Sequence, residues 1–158
     1  RELIRRPPRI RDLHDVLVQI RRRETHPDYV FDNDIAPIRR RLAMQMERIR
    51  FILPERSQEL YNAGDVLHNC VGSYADRVRD GKTHIVLMAD DRGKLTACIE
   101  VKDSTIQQAK LDYNRSVAQK SAINDEIVAW AQKVGLRYDT CPDIKPPTSA
   151  SAATAATA

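Results

Sequence analysis

No hydrophobic run in this 158-residue chain approaches the length of a bilayer-spanning helix. The longest, such as 85–89, fall far short of the roughly 20 apolar residues required, so no transmembrane segment and no membrane partner are expected. Cysteine is scarce: Cys70, Cys98 and Cys141 are widely spaced, odd in number and free of any CxxC pair. That pattern excludes a disulfide framework and points to a reducing, cytoplasmic setting. A structural zinc site would need His68 and Cys70 plus distant partners, so neither a metal nor another cofactor is expected. No signal peptide is visible, and the start at Arg1 rather than Met reads as a fragment or processed form. Internal repeats are absent, and low complexity is confined to the C-terminal end.

The chain contains 42% hydrophobic and 30% charged residues, the balance of a globular domain rather than of a disordered chain. Its net charge of +4 hides an asymmetry. Residues 1–56 carry 14 Lys or Arg against 9 Asp or Glu, whereas the remainder carries 12 against 13. The Arg21-Arg22-Arg23 and Arg39-Arg40-Arg41 clusters offer forked guanidinium donors suited to phosphate. They serve equally well as solvated helix faces interleaved with acids.

The apolar spacing predicts an amphipathic helix over 10–24, with Ile10, Leu13, Val16, Leu17 and Ile20 on one face, and a second from Ile35 to about Arg50. Pro37 is tolerated in the first turn of the second. Pro54 breaks the pattern, leaving 50–53 as a short extended segment. A helix capped by Ser57 and ended by Gly64 follows, then another from about Val71 to Arg79, closing at Asp80-Gly81. Three strand-like runs, 84–90, 94–102 and 105–113, are joined by turns short enough to require antiparallel neighbours. Ser121 then caps a helix with Ile123, Ile127, Trp130 and Val134 on its apolar face, and 136–140 can add an edge strand. The expected fold is α+β: N-terminal amphipathic helices, a central helix pair, a three-stranded antiparallel meander and a C-terminal helix. It divides into a basic helical part over 1–56, an α+β core over 57–144 and a disordered Ala/Thr/Ser/Pro tail over 145–158.

The segment 67–74, Leu-His-Asn-Cys-Val-Gly-Ser-Tyr, concentrates the chemistry. Asn69 or a neighbour caps the helix that follows, placing Cys70 near its first turn, where free N–H groups and the dipole favour a thiolate. A thiol at a helix start followed by strands carrying His84 and then Gln108, Asp112 or Asn114 has the order of papain-like and transglutaminase-like enzymes. A small buried hydrophobe is the other reading of Cys70. His68 lies two residues earlier, on the same face if the segment is extended, and is either an acid–base group or a structural imidazole. Tyr74, one helical turn beyond Cys70, fills the same pocket or the core, and Gly72 allows close packing or close ligand approach. Strict alternation along the third strand puts Ile106, Gln108, Lys110, Asp112 and Asn114 on one side.

The run LHNCVGSY, the helix ending in RDGK, and the strands ACIEV and IQQAKLDYNR together resemble the PcfJ-like family of mobile-element proteins over about residues 50–135. The resemblance implies a site made of His68, Cys70, Gly72, Tyr74, Gln108 and Asn114, with Arg115 beside it. Leu111, where the family usually has Gly, and Asn69, where His is frequent, depart from that pattern, and His84 lies outside it. The implied setting is a conjugative plasmid or phage, with protein partners of such a system. Two functions follow as expectations. One is a nucleic-acid-associated accessory domain whose arginines, Arg115 included, bind phosphate and whose polar pocket recognises or processes a nucleotide or nucleic-acid end. The other is an enzyme using His68 as general acid or base, with Cys70 as nucleophile or structural partner.

Overall fold

The computed structural model describes Leu17 and residues 26–31 and 35–147. The helix expected over 10–24, the Arg21-Arg22-Arg23 cluster and the tail from 148 onward lie outside the described residues.

The chain forms a mixed α+β fold around one five-stranded antiparallel sheet with strands in sequence order. Helix α1 (Ile35–Leu42) precedes the short strands β1 (Met44–Gln45) and β2 (Ile49–Ile52). Helix α2 (Ser57–Leu67), a 3-10 turn (Val71–Tyr74) and α3 (Ala75–Arg79) lead into β3 (His84–Asp90), β4 (Leu95–Lys102) and β5 (Thr105–Lys110). Two further 3-10 turns (Asp112–Asn114, Val117–Gln119) precede α4 (Ser121–Val134).

The expected three-stranded meander is therefore corrected to five strands. The helix expected from Ile35 to Arg50 stops at Leu42, and 44–52 turns back as a hairpin, with the Met46 N–H donating to the Ile49 carbonyl at 2.8 Å. Met44, Met46, Ile49 and Phe51 satisfy a period of two as well as Ile38, Leu42, Met46 and Ile49 satisfy a helix. Pairing with the open edge of β3, Phe51 opposite Met88 and Ile52 opposite Leu87, decides for the strand. At the other edge, the segment after α4 adds only a parallel bridge between Thr105 and Arg137.

Cross-strand partners share a face, so the register sorts the side chains into two layers. One face carries Phe51, Met88 and Ala97 in a row, then Val86, Ile99 and Ala109. It is covered by α4: Trp130 is fully buried, stacks on Phe51 at 4.5 Å between centroids, and donates its indole N–H to the Leu42 carbonyl at 2.9 Å. The other face carries Ile52, Leu87, Cys98 and Lys110, then Ile85, Glu100 and Gln108, beneath α2 and the turn that follows it. With both faces covered, 85–89 and 97–101 are buried throughout, which is why these strands read as continuous runs rather than alternations.

A bulge between Glu100 and Val101 changes the expected pattern of β5. Gln108 pairs with Glu100 but Ile106 pairs with Val101, so Gln107 is the extra residue and Ile106 shares its face with Ala109, not with Gln108.

Candidate functional site

Helix α2 does not end at Gly64. It continues to Leu67 and terminates at His68, which adopts the left-handed conformation (φ 49°, ψ 48°) that glycine usually supplies at a helix exit. Gly64 and Gly72 serve close approach instead. A Cβ on Gly64 would lie 3.1 Å from the Asn69 carbonyl oxygen, and one on Gly72 only 2.9 Å from the Tyr61 ring. These two residues let the 3-10 turn lie flat against α2. Asn69 pins the junction: its side-chain oxygen accepts the Val71 N–H at 3.1 Å, and its amide donates to the Cys98 sulfur at 3.3 Å. Burial pushes the Cys98 thiol up to about 11, so it stays protonated at neutral pH.

The left-handed turn at His68 separates the residues of this segment. His68 is exposed and stacks on Tyr113, with centroids 4.8 Å apart and planes 11° apart. Cys70, also exposed, caps the short 3-10 turn rather than sitting inside a helix. It lines a groove of about 190 Å³ with His26, Tyr61, Asp65 and Ser73, and His26 stacks on Tyr61 at 4.8 Å. The extended geometry that would aim His68 and Cys70 at one site is thus absent.

Tyr74 points the other way, into the sheet. Its hydroxyl accepts a hydrogen bond from Gln108 Nε2 at 2.8 Å, and the same amide donates to Glu100 Oε2 at 3.0 Å. Thr83 donates its hydroxyl to Glu100 Oε1 at 3.0 Å. Glu100 and Thr83 are buried, at 9% and 2% exposure. The carboxylate is held by two neutral donors, with no ion pair to it among the described residues. Burying a carboxylate is costly unless it is hydrogen-bonded, and Thr83 and Gln108 supply those bonds. Because Gln108 spends both amide protons inward, its oxygen is what it can offer a ligand. Glu100, Thr83 and Gln108 floor an open groove of about 630 Å³ whose lining also carries Arg77, Lys82, Lys102 and Asp103, and Arg77 lies 4.3 Å over the Tyr74 ring.

Of the residues expected to form one site, the structure joins Tyr74 and Gln108 and leaves His68, Cys70 and Asn114 outside their hydrogen-bond network. Asn114 is exposed in the loop after β5, at φ 61°. His84 cannot complete a thiol triad with Gln108. It pairs with Val101, on the sheet face opposite Glu100 and Gln108, and burial lowers its pKa. Glu100, Thr83, Arg77, Lys82 and Lys102 were not singled out by sequence reasoning. The signal for Glu100 was present in the strand Ala-Cys-Ile-Glu-Val, a lone carboxylate inside an apolar run.

The arginines divide as well. Arg39 pairs with Glu55 at 3.3 Å. Arg41 donates to the Val134 and Gly135 carbonyls and to Ser104, holding the C-terminal end of α4. Arg40 is exposed, and Arg115 pairs with Asp112.

No curated protein and no solved structure matches this chain. One family model does, the PcfJ-like protein model, and it spans residues 2–124, which takes in α1 through the start of α4 and both grooves. The chain belongs to the PcfJ-like protein family.

Proposed function

We propose that this chain is a nucleic-acid-associated accessory domain of mobile genetic elements such as conjugative plasmids and phages, and that the groove over Glu100 and Gln108 receives a nucleotide unit of its ligand. One observation carries the reading: three cations, Arg77, Lys82 and Lys102, outnumber the single acid Asp103 around a polar floor made by Glu100, Gln108 and Thr83. The cations suit phosphate. The floor suits a base edge, with the Gln108 side-chain oxygen free to accept a hydrogen bond from it. Arg40, exposed on α1, and the Arg21-Arg22-Arg23 cluster would extend the phosphate contacts. The alternative, an enzyme using His68 as general acid or base, has less support, because His68 is engaged with Tyr113 and stands apart from the Tyr74–Gln108 network.

Gel-shift titrations over a salt series, with single- and double-stranded DNA and RNA, test this. Wild-type binding should weaken as salt rises. The K82A/K102A double variant should bind more weakly and show a log–log salt slope shallower by roughly 1.4–1.8, as two lost phosphate contacts require. Absence of binding to every nucleic acid at low salt, or a double variant identical to wild type, refutes the proposal.

A further inference from the structure

Beyond the groove, a second feature bears on what kind of nucleic acid would be bound. After β5 the chain buries Leu111 and closes a tight loop: the Leu111 N–H donates to the Arg115 carbonyl at 2.7 Å, and Lys110 bridges to Ser116. Within the loop Tyr113 takes φ 53°, ψ 30° and Asn114 takes φ 61°. Asparagine tolerates that region, but a bulky ring there is an outlier. His68, the C-terminal cap of α2, is left-handed too, and the two unusual backbones bring the two rings parallel. The core gains little from the arrangement, since Tyr113 is 66% exposed. Strain that places an aromatic ring in solvent, rather than in the core, is of the kind found at ligand sites. The surroundings are polar and cationic: Asn114 is exposed, and Arg115 and Lys120 both act on the Asp112 carboxyl at the start of the turn.

We propose that the Tyr113–His68 stack is a platform for an unpaired nucleobase, with Asn114 facing the base edge and Arg115 and Lys120 the adjacent phosphates. It makes single-stranded nucleic acid the preferred ligand. A duplex keeps its base faces stacked, whereas a single strand can lay one on the open side of Tyr113. The inference rests on the nucleic-acid reading above, and the experiment separates the two.

Fluorescence anisotropy would compare a labelled oligothymidylate, an abasic strand of equal length and a duplex, using wild type, Tyr113→Gly and Tyr113→Trp. Glycine accepts the left-handed backbone freely, so Tyr113→Gly removes the ring without disturbing the loop, and thermal melting should show stability retained. Wild type should prefer oligothymidylate to the abasic strand and to the duplex. Tyr113→Gly should lose roughly 5- to 150-fold in affinity for oligothymidylate and little for the abasic strand, as expected for one stacked base, while Tyr113→Trp keeps the preference. Equal affinity for the abasic and base-bearing strands, or a Tyr113→Gly variant that binds oligothymidylate like wild type, overturns the platform and leaves the nucleic-acid role standing. Failure to bind any of the three overturns both.

Discussion

Asp143 offers the sharpest test of how the groove strand is held. Its carboxylate is 2% exposed and reaches β5 from the C-terminal segment. Oδ2 accepts the Ala109 N–H at 3.0 Å, and Oδ1 accepts from Lys110 Nζ at 2.8 Å and Ser116 Oγ at 2.6 Å. Two of these bonds land on Ala109 and Lys110, the residues that follow Gln108, and the third on Ser116 beyond the loop. Replacing Asp143 by Ala leaves the Ala109 N–H, on a fully buried residue, without its acceptor, at a cost of about 1–3 kcal/mol. It also strips Lys110 of its counter-charge. The Lys110 side chain is 23% exposed and can extend its ammonium toward water, so the total falls at the low end of a broken buried pair, about 3 kcal/mol. For a chain of this size that is a drop of roughly 6–12 °C in Tm. Asp143→Asn, which keeps an acceptor for Ala109, should cost about half as much. Urea unfolding followed by circular dichroism measures both.

The pH dependence of the same contact has a definite sign. Burial pushes the Asp143 carboxyl up, but hydrogen bonds from Lys110, Ser116 and the Ala109 amide outweigh it and leave the pKa below the ordinary 3.8. A carboxyl with a depressed folded-state pKa stabilises fully above its unfolded value, and the contribution fades as pH falls through the folded value. The gap between wild type and Asp143→Asn should therefore be constant from pH 5 to 8 and shrink below about pH 4. An Asp143→Ala variant within 1 kcal/mol of wild type at pH 7, or a gap that widens in acid, refutes this account of the strand edge.

Two further outcomes follow. Gly72→Ala drives a Cβ to 2.9 Å from the Tyr61 ring, which is already stacked on His26, and should cost about 1–3 kcal/mol in a thermal or urea melt; an unchanged melt would show that the turn can lift off α2 freely. Iodoacetamide should label exposed Cys70 in the native protein well before the buried Cys98 and Cys141, with mass spectrometry reading the order. Labelling of Cys70 no faster than the other two would contradict its exposure and remove it as a candidate nucleophile.

The sequence by itself determined the central meander and the C-terminal helix. Turn chemistry at 90–93 and 103–104 forced β3, β4 and β5 into an antiparallel meander, and the apolar face of 123–134 required a helix packed on it. It also singled out Tyr74 and Gln108, which the structure joins. Other features were decided by tertiary contact. Residues 44–52 fit helix and strand alike, and the open edge of β3 settled the matter. The bulge at Gln107 reassigned Ile106 to the opposite face, an outcome that alternation cannot express. Above all, the motif from His68 to Tyr74 looked like one site in one dimension, but a left-handed residue at its first polar position turned the chain. His68 went to Tyr113, Cys70 to the groove of His26, and Tyr74 to Glu100 and Gln108. Spacing places side chains only while the backbone conformation is known, and at helix ends that conformation is set by what the next element packs against.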